Sequence, residues 1–98
     1  LAPQPSVQTL SPIALFSRLA PGAHIPPHHG LINTRLVCHL HIVVPEHCGI
    51  RVGTRTKQRR EGELLIFDDT IEHEAWNKSS EERIILLFDI WIVARQTI

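Results

Sequence analysis

Seven histidines occur among the 98 residues of this chain, and they are grouped. His24, His28 and His29 crowd a segment that also holds Pro26, Pro27 and Gly30; His39 and His41 alternate with apolar residues; His73 follows the acidic pair Asp68-Asp69 and precedes Glu74. Neutral imidazole nitrogens suit iron, zinc, copper or nickel. Two histidines from separate segments, His28 and His73, could clamp one ion from opposite strands of a small barrel. The prolines just before His28 fix the backbone that must aim its imidazole. Non-haem iron oxygenases commonly hold their metal with two histidines and one carboxylate. In the usual sequence form that carboxylate lies two residues after the first histidine, which here is Gly30 and cannot ligate. A solvated polar loop is the plainer account of the first cluster. Arg83, at the start of an apolar run, either faces an anion inside a barrel, because an unpaired buried charge is costly, or lies in water or pairs with Asp89 or a glutamate.

The elements that would position these groups are strands. Residues 13–20 read as a strand ended by Pro21-Gly22, and 23–33 read as a loop because Pro26, Pro27 and Gly30 oppose regular pairing. Residues 34–44 alternate clearly, with Arg35, Val37, His39, His41 and Val43 on one face and Leu36, Cys38, Leu40, Ile42 and Val44 on the other. A turn at 45–49 leads to a short strand at 50–52. The basic run 53–62, with Arg55, Lys57, Arg59 and Arg60, reads as a solvated hairpin rather than an anion-binding patch. Residues 64–67 form an apolar strand that stops at Asp68-Asp69, and a second short run carries His73 to Trp76. After a polar turn at 77–82, residues 83–93 place Arg83, Ile85, Leu87, Asp89 and Trp91 on one face and only apolar residues on the other. No 3.6-residue period persists over ten residues. The pattern predicts an all-β sandwich or barrel with a polar lumen, spanning 13–94 between an irregular lead-in (1–12) and a tail (95–98). Something not visible in the sequence is expected to cover its greasy outer face.

Composition narrows the function classes. The chain makes one small domain that buries about 60–65% of its unfolded surface. Lys plus Arg equals Asp plus Glu at ten each, which argues against a nucleic-acid or anionic-membrane binder. No signal peptide is visible, and the apolar stretch 84–94, broken by Asp89, is too short to insert across a bilayer. Cys38 and Cys48 have no disulfide-framework or zinc spacing and read as free thiols. The chain begins with Leu1 and has no methionine, and so reads as a piece of a longer protein.

Beyond these patterns, the chain resembles the aspartyl/asparaginyl β-hydroxylase family over roughly residues 16–91. The likeness is carried by Ser17-Arg18-Leu19-Ala20-Pro21-Gly22-Ala23-His24-Ile25, Pro27-His28-His29-Gly30, Asn33-Thr34-Arg35-Leu36 and His39-Leu40. It continues in Glu61-Gly62-Glu63, Ile66-Phe67-Asp68-Asp69-Thr70, Glu72-His73-Glu74-Ala75-Trp76, Arg83 and Phe88-Asp89-Ile90-Trp91. The resemblance implies a double-stranded β-helix, a jelly-roll variant, lacking flanking helices, and an iron(II)- and 2-oxoglutarate-dependent dioxygenase. It implies that His28 and His73 are the iron ligands, with water in the place that Gly30 leaves. It further implies that Ser17, His39 and Arg83 contact 2-oxoglutarate, with Arg83 on the far carboxylate. Oxygen and 2-oxoglutarate would be consumed as an unactivated carbon is hydroxylated. The substrate would be an aspartyl or asparaginyl residue in a protein or peptide, a small molecule or an acyl chain. One position departs: a second co-substrate arginine, two residues before the strand histidine in the animal enzymes, is Val37 here, and the nearby Arg35 cannot be assumed to replace it. A rival reading is a cupin-like metal-binding module without oxygenase activity, which Gly30 and Val37 favour.

The remaining candidates carry smaller roles. His29 reads as solvent- or substrate-side, His41 and His47 as structural or exposed, and Asp68 and Asp69 as residues that shape the turn and orient His73. Glu74 is expected outside the barrel, because adjacent strand residues face opposite ways. The compartment is expected to be the cytoplasm.

Overall fold

The computed structural model describes residues 14–31 and 35–91, without the side chains of Arg35 and Trp91. Residues 1–13, 32–34 and 92–98, and so the lead-in, the tail and the last residues of the expected 83–93 strand, lie outside the described residues. Eight strands follow one another: β1 Leu15–Leu19, β2 His24–His28, β3 Arg35–Val43, β4 Cys48–Val52, β5 Arg55–Gln58, β6 Leu64–Asp68, β7 His73–Asn77 and β8 Arg83–Trp91. They form two four-stranded sheets, β1-β8-β3-β6 and β2-β7-β4-β5, in which every pairing is antiparallel. Except at the β4–β5 hairpin, the chain changes sheet at each connection, as a jelly roll does. No helix occurs among the described residues, so none is long and apolar enough to cross a membrane.

The period-two pattern of β3 and β8 sets the lumen. Val37, His39 and His41 of β3 and Arg83 and Ile85 of β8 are buried, while Ile42 and Ile90 on the opposite faces are exposed. Val37, Ile50, Phe67 and Ala75 form the apolar core, with Ile25, Val52, Leu65 and Leu87 packed against it. Phe16, Leu64, Ile66 and Ile90 leave apolar surface in water on the β1-β8-β3-β6 sheet. Cys38 and Cys48 are buried and unlinked, and burial raises both thiols above their usual range.

Three expectations are corrected. The segment around His28 is strand β2, not loop. As the outer strand of its sheet, β2 needs ladder bonds on one side only, and a register shift between Ile25 and His28 absorbs the two prolines. Cys48 and Gly49 belong to β4, because His47 makes the turn with a φ of 71°. The basic run is solvated along β5 but not at its end, where Arg59 is buried.

The two sheets are tied together by Asn77, a buried residue at the end of β7. Its Nδ2 donates to the carbonyls of Leu19 on β1, at 3.0 Å, and Glu81, at 2.7 Å. Its Oδ1 accepts from the Ser79 amide and hydroxyl and from the Cys48 thiol. Truncation would strand several buried polar groups at once, each costly to leave unmade. Asn77→Ala is expected to lower unfolding stability by about 2–4 kcal/mol, read as a drop in the urea midpoint with an unchanged slope.

Candidate metal and anion site

A cavity of about 350 Å³ lies between the sheets, and both contribute to its walls. From one sheet come His28, His73 and Ala75; from the other Ser17, Val37, His39 and Arg83. Asp69, in the turn between β6 and β7, and Asp89 of β8 also reach it. The five residues singled out for metal and co-substrate binding thus share one cavity.

His28 ends β2 and His73 opens β7, and the ladder pairs them directly. Their rings stand edge to face with centroids 4.2 Å apart. His28 Nδ1 lies 2.9 Å from the Pro26 carbonyl and His73 Nδ1 lies 2.7 Å from the Ile71 carbonyl. A carbonyl only accepts, so each neutral ring carries its proton on Nδ1 and keeps a lone pair on Nε2. Two imidazoles held in this tautomer by backbone oxygens are suited to ligate a transition metal through Nε2. Among the described residues, no cluster of three or more His, Cys, Asp or Glu side chains is arranged to hold an ion. A centre here would rest on two protein ligands.

Gly30 and Asp69 show why. A Cβ on Gly30 would run into the Asp69 carboxylate, and the Gly30 amide donates to the Asp69 carbonyl at 2.8 Å. The space from which a residue-30 carboxylate would start is therefore filled from the β6–β7 turn. Asp69 Oδ1 lies 3.7 Å from His73 Nε2, the ring nitrogen left to ligate; the Ile71 carbonyl accepts from Nδ1 and orients the ring. Asp68 shapes the turn, accepting from the Thr70 amide and hydroxyl, and these bonds hold its carboxyl below the usual range. Glu74 points out of the barrel to Arg51 at 2.8 Å and His24 at 3.0 Å. His29 is exposed beside the Gly30 carbonyl.

The opposite wall is cationic. Arg83 is 1% exposed, and its Nη2 lies 3.4 Å from Ser17 Oγ. Arg59, 2% exposed, reaches the same cavity. Its Nη1 donates to His39 Nδ1 at 3.1 Å and to His41 Nε2 at 2.8 Å. An arginine cannot accept, so neutral His39 must carry its proton on Nε2. His41 is structural, its Nδ1 donating to the Arg60 carbonyl at 2.9 Å. Phe67 packs edge-on against both His39 and His73, at 5.1 and 4.8 Å. Burial, then the charges of Arg59 and Arg83, lowers His39 to about 2; burial and Arg59 lower His41 as well. Burial and the Arg83 charge lower Arg59 to about 9, and burial lowers Arg83. Sequence reasoning missed Arg59 because it sits in a basic run whose neighbours on β5 are exposed. No local signal separates Arg59 from the adjacent Arg60, which stays exposed.

Fold and site together define a jelly-roll domain with a two-histidine centre facing a cationic wall. Among solved structures, it is similar to the cupin domain of an XRE family transcriptional regulator from Enterobacter cloacae. That similarity has a TM-score of 0.72 at 17% identity and covers 90% of this chain and 87% of that one. The cupin domain of Schizosaccharomyces pombe Cnp3 is similar with a TM-score of 0.71 at 12% identity, over 84% of this chain and 57% of that one. These likenesses show the fold alone. The sequence is more specific: the model of the aspartyl/asparaginyl β-hydroxylase family matches residues 2–92, and the chain belongs to that family. It is 47% identical over 77 residues to human aspartyl/asparaginyl beta-hydroxylase, covering 78% of this chain and 10% of that protein. It is 44% identical over 79 residues to the ornithine lipid ester-linked acyl 2-hydroxylase of Rhizobium tropici, covering 78% of this chain and 28% of that protein. The chain therefore spans only a small part of the length of these relatives.

Buried neutral histidines make stability depend on pH. An unfolded histidine titrates at about 6.5, whereas His39 in the fold titrates at about 2. Below pH 6.5 or so the unfolded chain takes up a proton that the folded chain refuses, so stability falls as pH falls. The contribution of His39 is up to about 1.4 kcal/mol per pH unit. Urea midpoints measured between pH 7 and pH 5 are expected to decline, and His39→Gln to flatten the decline.

Proposed function

We propose that this chain is the core of an iron(II)- and 2-oxoglutarate-dependent dioxygenase that hydroxylates an unactivated carbon. The target is the β-carbon of an aspartyl or asparaginyl residue, or a related acyl or small-molecule position. The observation that carries the reading is the placement of His28 and His73, both with Nε2 free to ligate, in one cavity with the buried Arg83. Family membership supports hydroxylation, and the names of two relatives, one acting on peptide-type residues and one on a lipid acyl chain, span the substrate classes.

Iron(II) bound through Nε2 of His28 and His73 would supply the oxygen activation that no side chain here can perform. The protein's own part is binding, orientation and exclusion of water. Arg83 holds the far carboxylate of the 2-oxo acid, and Ser17 accepts from Arg83 and fixes its approach. His39, neutral and protonated on Nε2, offers the ligand a donor without adding a further charge to the cationic wall. Val37, Ile50, Ala75 and Leu87 line the cavity with apolar surface, which strengthens every charged contact inside it. Phe67 keeps the metal-binding and anion-binding histidines at a fixed separation.

Adding iron(II) and 2-oxoglutarate without oxygen to the intact protein is expected to give a weak visible charge-transfer band. His73→Ala should abolish the band, together with the oxygen-dependent gain of one oxygen atom by a substrate in a cell extract. A wild-type protein that binds iron but gives no band with 2-oxoglutarate would instead be a cupin-like metal-binding module.

A further inference from the structure

We propose that Arg59 is a second anion-binding residue of this cavity, so that one carboxylate of a dicarboxylate ligand is held between the guanidiniums of Arg59 and Arg83. The inference rests on the function proposed above only for the identity of the dicarboxylate as the 2-oxo acid.

Four buried donors carry it: Nε and Nη2 of Arg59 and Nε and Nη1 of Arg83 have no hydrogen-bond partner. Neither Asp69 nor Asp89, which share the cavity, accepts from any of them. The donors left over on Arg59 are not a random pair. Nη1 is committed to His39 and His41, and Nε with Nη2 makes the side-on fork that matches the two oxygens of a carboxylate. The fork is also held in place. The Arg59 amide donates to the Cys48 carbonyl at 2.9 Å, and His41, braced by the Arg60 carbonyl, fixes Nη1. His41 is thus a positioning residue for Arg59.

Charge points the same way. Two guanidiniums buried in one small cavity repel each other, and the partners of Arg59 are neutral rings that cannot compensate it. Buried guanidinium donors are costly to leave unmade, so two guanidiniums with four unmet donors between them suit an anion that joins them. Val37, where the resemblance would put a second arginine, is instead an apolar wall of this cavity. Arg59 delivers its guanidinium from the strand end on the other sheet.

The test is calorimetric titration of the intact protein, with and without metal, using 2-oxoglutarate, glutarate and 2-oxobutanoate, the last lacking the far carboxylate. Arg59→Gln and Arg59→Met are expected to weaken 2-oxoglutarate and glutarate by about 10- to 100-fold and to leave 2-oxobutanoate unchanged, with Arg59→Lys recovering part of the loss. Thermal unfolding guards against a folding artefact. Arg59→Met removes a buried charge but also the donor to His39 and His41, so the reading is taken from the rise in melting temperature induced by glutarate, which should shrink in a variant that still unfolds cooperatively. If both variants bind 2-oxoglutarate within about twofold of wild type, the inference is overturned and the proposed function stands. A wild type that binds no dicarboxylate also overturns it. Dicarboxylate binding that depends on Arg59, in a protein that shows no charge-transfer band with iron, supports the clamp and removes the oxygenase reading.

Discussion

Two guanidinium groups buried within a small barrel constrain everything around them. Arg59 and Arg83 are buried at a cavity that Val37, Ile50, Ala75 and Leu87 also line, where water does little to screen them. Any further positive charge there is resisted, so His39 and His41 stay neutral, and Arg59 enforces this by donating to both rings. With Nδ1 of His39 taken, its remaining proton is fixed on Nε2. The cavity is therefore polarised before any ligand arrives, and toward negative charge.

The histidine pair and the cationic wall come from different sheets. His28 and His73 are cross-strand neighbours on β2 and β7, so their separation is set by a single ladder. Ser17, His39 and Arg83 lie on β1, β3 and β8 of the opposing sheet. The distance between the halves then depends on sheet packing, which Phe67 sets from the inside and Asn77 from the rim. A ligand that chelates a metal at one wall and extends a carboxylate to the other would be measured by that spacing. Arg59 belongs by sequence to the first sheet and by contact to the second.

The space where a residue-30 carboxylate would start is occupied from another part of the chain. Gly30 leaves space after His28, and Asp69 fills it from the β6–β7 turn without approaching as a third ligand. The close approach needs glycine, because any Cβ at position 30 would displace that carboxylate.

What the sequence determined by itself was the material with short-range rules. Within the described residues, alternation placed Val37, His39, His41, Arg83 and Ile85 inward, since a strand turns successive side chains to opposite sides. For the same reason Glu74 could be placed outside while its neighbour His73 faces in. Alternation failed at Val43, which lies beyond a register shift and is exposed. The grouping of histidines marked the candidate ligands before any fold was known. What only the tertiary structure decided were the features set by neighbours distant in sequence. Pro26 and Pro27 could stay in a strand only because β2 proved to lie at a sheet edge, and Asn77 became a tie between sheets only once Leu19 lay beside it. Arg59 looks like its exposed neighbours Arg55 and Lys57 by composition. Its burial follows from where the chain crosses between sheets, bringing it against two histidines 20 and 18 positions earlier, and such long-range contact leaves no local periodicity to read.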